Sequence, residues 1–118
     1  MDFTDPEITN DSINLIESLS KQYTLVLLKR TVQKEEEVSY SLIQKEHLRH
    51  LLGLRAKGML AIHGPVTEDD FLKEMYIFNT ADKEIVRNIL ENDPAIKSGQ
   101  LVYEIYSWYG IPGDHLVE

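Results

Sequence analysis

The sequence predicts an α+β domain in the β-α-β-β-α-β order of the ferredoxin-like unit, a four-stranded antiparallel sheet with two helices on one face. Three observations predict it. Residues 23–30 (YTLVLLKR) and 101–108 (LVYEIYSW) are apolar runs rich in β-branched and aromatic residues, as buried strands are. Between them, two stretches repeat apolar residues at helical spacing and two shorter runs read as strands. Gly-Pro, Asn-Asp-Pro and single glycines punctuate the junctions.

Residues 2–10 are acidic and turn-rich, and a short helix begins at Asp11 or Ser12 with Ile13, Leu15, Ile16 and Leu19 as its apolar positions. After the first strand, residues 31–40 carry Glu35, Glu36 and Glu37 and read as a solvated loop. Ser41 with Gln44 three residues on has the form of a capping box. The helix it opens holds Leu42, His47, Leu48, Leu51, Leu52 and Leu54 and stops at Gly58. Residues 59–63 make a short strand, turned out by Gly64-Pro65. Residues 71–79 make the next, with Met75 and Ile77 on one face and Tyr76 and Phe78 on the other. Thr80 or Asp82 caps a helix that runs to Glu91 on a stripe of Ile85, Val86, Ile89 and Leu90, and Pro94 ends it. Residues 95–99 are a turn before the last strand. The chain of 118 residues is one domain, with an N-terminal extension (1–22), a core (23–109) and a tail (110–118).

Both faces of these strands are apolar. Val26 and Leu28 oppose Leu25 and Leu27, and Tyr103 and Ile105 oppose Tyr106 and Trp108. Helices cover one face only, and the other would be a large exposed patch on a monomer. A second copy of the sheet is the expected cover, giving a homodimer with isologous contacts. The N-terminal helix folded across the sheet is the competing cover.

Composition excludes several function classes. Twelve Lys+Arg against 20 Asp+Glu give a net charge of -8, which repels nucleic-acid backbones and anionic membrane surfaces. The absence of cysteine excludes a disulfide framework, a thiolate metal site and a cysteine nucleophile. No signal-like start and no apolar run of roughly 20 residues is present, so a cytoplasmic location is expected. Neither G-x-x-x-x-G-K-[ST] nor G-x-G-x-x-G occurs, which argues against a nucleotide, and no cofactor is assigned.

His47-Leu48, Leu51-Leu52, Gly58, Leu60 and Gly64-Pro65 form an H-L-x2-L-L-x5-G-x-L-x3-G-P pattern, followed by Asn92-Asp93-Pro94 and Gly99. In this pattern the chain resembles the YCII-related (YciI-like) family, from about residue 23 to 108. The resemblance implies a dimeric α/β barrel and small enzymes with a His-Asp pair lining a pocket. One branch of that family is linked to dehydrochlorination of a chlorinated hydroxymuconate-type acid. The family histidine matches His47 and the aspartate before proline matches Asp93.

The chemistry of these two residue types suits that role. An imidazole with a pKa near 6.5 moves protons at neutral pH, and a carboxylate on one ring nitrogen fixes the tautomer and raises the basicity of the other. The plain alternatives are a structural histidine and an Asn-Asp-Pro helix stop. His50, three residues after His47, completes an HxxH spacing, yet beside Arg49 it reads as solvent-facing, and no metal is assigned. Arg30, His63, Gly64 and Trp108 are the candidates for contact with a substrate: a guanidinium fork for a carboxylate, a histidine at a strand end, a position without a side chain, and an aromatic wall. Surface cation, strand end, turn and dimer contact are their plain counterparts. The expected function is cofactor-independent acid/base chemistry, an elimination or isomerisation, on a small organic acid. The alternative is a non-catalytic dimeric module that binds a metabolite or a protein.

Overall fold

A computed structural model describes residues 5–31 and 37–118, with side chains from residue 41 onward in the second stretch. Helix α1 (Asn10–Leu19) leads into β1 (Lys21–Arg30), then α2 (Glu37–Ala56), β2 (Leu60–Pro65), β3 (Leu72–Phe78), α3 (Lys83–Glu91), the short α4 (Pro94–Lys97) and β4 (Leu101–Gly110). The strands form one sheet in the order β2-β3-β1-β4, every neighbour antiparallel. Each crossover therefore skips one strand, which is the split βαβ arrangement the sequence predicts.

Register decides what faces the helices. Val26 lies opposite Tyr76 and Ile105, and Leu28 opposite Tyr103. This face is closed by Leu51 and Leu54 of α2, Val86 and Leu90 of α3, and Ala95 of α4, all buried. Thr24 is the polar member of the row, and its hydroxyl donates to the Thr80 carbonyl at 2.8 Å, so its burial is compensated. Asp82 caps α3 by accepting from the Glu84 and Ile85 amides. Gly58, at φ +77°, ends α2, with its own amide on Arg55 O and the next amide on Leu54 O.

Several boundaries differ from the sequence reading. Helix α2 begins at Glu37, so Ser41 and Gln44 lie inside it and make no capping box; Gln44 instead donates to Gln100 Oε1 at 3.1 Å. Acidic side chains are favourable in a first helical turn, so the acidic run does not have to be loop. Glu35 and Glu36 lie outside the described residues. Leu42, Leu48, Leu52 and Ile85 are exposed, because the sheet-facing stripes are narrower than the apolar content of the helices. Pro94 starts α4 as well as following α3, since a first helical position has no amide bond to lose. The last strand continues to Gly110.

The second sheet face carries Tyr23, Leu25 and Leu27 of β1, Met75 and Ile77 of β3, and Tyr106 and Trp108 of β4. Helix α1 does not cover it, for none of its residues is buried and Ile13, Leu15, Ile16 and Leu19 are all exposed. The C-terminal turn borders a hollow of about 200 Å³ on this side, lined by Tyr23, Ile62, Ile77, Trp108, Ile111 and Asp114 among others. No helix among the described residues is long and apolar enough to cross a membrane.

Candidate active site

His47 sits on the α2 stripe with Leu51 and Leu54 and is 3% exposed, its ring held between helix and sheet. Asp93 reaches it from the junction of α3 and α4, 46 residues along the chain. Pro94 disfavours the helical region for the residue before it, and Asp93 accordingly has ψ 130°. In that conformation its carboxylate caps α4, Oδ1 accepting from the Ala95 amide at 2.8 Å. The same group takes His47 Nδ1 at 2.8 Å on Oδ1 and 2.7 Å on Oδ2. The helix-stop role and the histidine-pairing role belong to one side chain.

Two further groups complete the cluster. Glu74 Oε2 lies 2.7 Å from His47 Nε2, and the Tyr76 hydroxyl donates to Glu74 Oε2 at 3.2 Å while standing 3.2 Å from the same ring nitrogen. His50 does not face solvent as expected: its Nδ1 is 3.1 Å from Asp93 Oδ2, since a three-residue step on a helix keeps it on the His47 side. Glu74 and His50 are the more open members, with side chains 19% and 27% exposed against 4% for His47.

The electrostatics follow from this geometry. Burial favours the neutral form of His47, but hydrogen bonds to Asp93 and Glu74, with their negative charge, outweigh it and push its pKa up to about 9. Burial also opposes ionisation of Asp93, and the His47 contact with the Ala95 and His50 bonds outweighs that, holding the carboxyl below its usual range. The Tyr76 phenol is raised far above its ordinary value by burial and by the charge of Glu74 and Asp93, so it stays a neutral hydroxyl. At neutral pH, His47 is thus an imidazolium donating from both nitrogens, one proton to each carboxylate.

Stability should record this. A raised folded-state pKa makes the His47 contribution complete below its unfolded value of 6.5, and lost as pH climbs through about 9. A depressed one makes the Asp93 contribution present above 3.8, and lost as pH falls through its lower folded value. Urea midpoints measured at stepped pH are expected to be highest from about 4 to 6.5 and to decline to above 9. Asp93→Asn should flatten the alkaline decline.

The other sequence-predicted residues divide between the two sheet faces. His63 pairs with Tyr76 across β2 and β3 on the helix side, ring edge to ring face at 6.3 Å between centroids. Arg30 donates from Nε to the Asp70 carbonyl, and its guanidinium lies 5.4 Å from the Phe71 ring centre. Trp108 stands 6.2 Å from Tyr23 on the opposite face, where strand alternation also places Gly64 beside Met75. These two do not share a site with His47 within one chain. Gly64 lies inside β2 without positive φ, and nothing stands within 4 Å of where a Cβ would be, so no turn requires it. No grouping of three or more His, Asp or Glu among the described residues is arranged to hold a metal ion.

With the βαββαβ core and the His47-Asp93 contact in place, comparison with known proteins fixes the lineage. The model of the YCII-related domain matches residues 24–109, most of the chain. The chain belongs to the YCII-related family. The match begins and ends within one residue of the stretch carrying the sequence resemblance. No curated protein matches the YCII-related chain. Among solved structures, it is similar to the 5-chloro-2-hydroxyhydroquinone dehydrochlorinase of Burkholderia phenoliruptrix in complex with 2,5-dihydroxybenzoquinone, at 24% identity. That likeness covers 71% of this chain and 92% of the other, with a TM-score of 0.46.

Proposed function

We propose that this YCII-related protein is a cofactor-independent enzyme that moves protons on a small organic acid, in an elimination or isomerisation. The carrying observation is His47, buried, with Asp93 on Nδ1 and Glu74 on Nε2. Asp93 is the orienting group, anchored by its own cap of α4. His47 Nε2–H is the proton donor at neutral pH, to a carbonyl oxygen or a leaving group. Glu74, the more open carboxylate, accepts the proton taken from the substrate. Donor and acceptor on adjacent atoms suit a reaction in which one proton leaves carbon as another is delivered to oxygen.

The test uses a panel of 2-oxo, 2-hydroxy and unsaturated carboxylic acids in D2O, followed by proton NMR. Wild-type protein is expected to exchange a C–H proton or expel a leaving group from at least one of them, and His47→Asn to lower that rate by about 10²–10⁴-fold. Equal turnover by the variant would remove His47 from the chemistry. Binding without exchange or turnover would make the protein the metabolite-binding module instead. The enzyme is proposed to work as a homodimer closed over the open sheet face.

A further inference from the structure

We propose that Arg55 and His63 form the anchor for a carboxylate of the molecule on which His47 acts, so that the ligand is a carboxylic acid lying between the edge strand β2 and helix α2. The inference rests on the reading of His47 as the reacting centre and adds the class and placing of its substrate.

The His47 cluster cannot hold that carboxylate itself. It already sets two carboxylates, Asp93 and Glu74, against one imidazolium, and a third negative charge there would be repelled. A cation must come from elsewhere. Arg30, the sequence's candidate, is engaged with the Asp70 carbonyl and the Phe71 ring. Arg55, in the last turn of α2, meets only a neutral partner among the described residues: its Nη1 is 3.2 Å from His63 Nε2. A favourable place near a helix C-terminus explains a cation there, but not why it turns to an imidazole in a chain with 20 acidic residues.

The protonation pattern points the same way. Burial and then the Arg55 charge hold the His63 pKa below its usual value, so the ring is neutral. Its Nε2 accepts from Arg55, which puts the ring proton on Nδ1. Held by this bond, Arg55 keeps its remaining guanidinium N–H groups as a fork of parallel donors, an arrangement a carboxylate's two oxygens satisfy. The corner is also next to the reacting centre. His63 abuts Tyr76, whose hydroxyl is 3.2 Å from His47 Nε2. Arg55 lies about 12 Å beyond His47 along the helix axis, a gap that the long arginine side chain shortens on its way to His63. An aromatic or similarly long acid spans what is left.

The experiment titrates 4-hydroxybenzoate, and separately 4-hydroxybenzamide, into the full-length protein while histidine ring resonances and the arginine Nε–H signals are followed by NMR. The acid is expected to bind saturably, shift Arg55 Nε–H, and raise the His63 pKa, since the bound anion offsets Arg55. The amide should bind at least tenfold more weakly. Arg55→Gln should lower affinity for the acid by about tenfold or more, with the amide unaffected, whereas Arg49→Gln on the solvent side of α2 should change neither. Equal binding of acid and amide, full affinity in Arg55→Gln, a His63 ring that does not respond, or no saturable binding of the acid would each overturn the proposal. The readout is binding, not turnover. A chemically idle His47 would leave these results standing, and a misplaced anchor would leave the His47→Asn rate test intact.

Discussion

Asp93→Ala is expected to destabilise the protein by on the order of 4 kcal/mol. Breaking a buried ion pair by removing one partner costs roughly 3–5 kcal/mol, and losing a helix N-cap adds about 1. Asp93 performs both tasks, pairing with His47 at 2.7 Å and accepting the Ala95 amide at 2.8 Å. Asp93→Asn separates them. Asparagine caps as well as aspartate but brings no charge, so α4 should keep its start while the His47 pKa falls from about 9. Urea unfolding of the two variants, with the His47 ring titrated in each, reads both effects. If alanine and asparagine were equally destabilising and left the His47 titration in place, the cap alone would account for Asp93.

Leu25→Glu is expected to split the protein into monomers while leaving its fold intact. Leu25 lies on the central strand, opposite Ile77 and Tyr106, on the face that neither the core helices nor α1 covers. A glutamate there stays solvated in a single chain, but two copies meeting about a twofold axis would bring like charges into an apolar contact. A stable interface of standard size needs about 800 Å² from each partner, an area within reach of a four-stranded sheet face. Light scattering at micromolar concentration should give the wild type twice the chain mass of 13.6 kDa, and the variant the single mass with an unchanged circular dichroism spectrum. A wild type at the single mass would contradict the homodimer.

The fold was legible because its signals are local. Two-residue alternation along residues 23–30, 71–79 and 101–108 sorts the helix face from the open face, and the structure pairs Val26 with Tyr76 and Ile105 as that alternation requires. Helix starts were less legible, since an acidic run before Ser41 is compatible with loop and with a first turn alike. The His47-Asp93 contact spans 46 residues, a separation no periodicity encodes, and it entered through family resemblance.

Glu74 was missed although a signal for it existed. It stands two residues before Tyr76 and four before Phe78, on the face those two share, and a carboxylate on a buried face needs a partner. His50 was misjudged, its neighbour Arg49 weighing more than the three-residue spacing that turns it toward Asp93.

The charge state of His47 is the most direct test of the clamped imidazolium. Long-range ¹H–¹⁵N correlation of the ring nitrogens across a pH titration should show both protonated at neutral pH, with an apparent pKa of about 9 that drops in Asp93→Asn and in Glu74→Gln. A ring that titrates near 6.5 and is indifferent to both substitutions would contradict it.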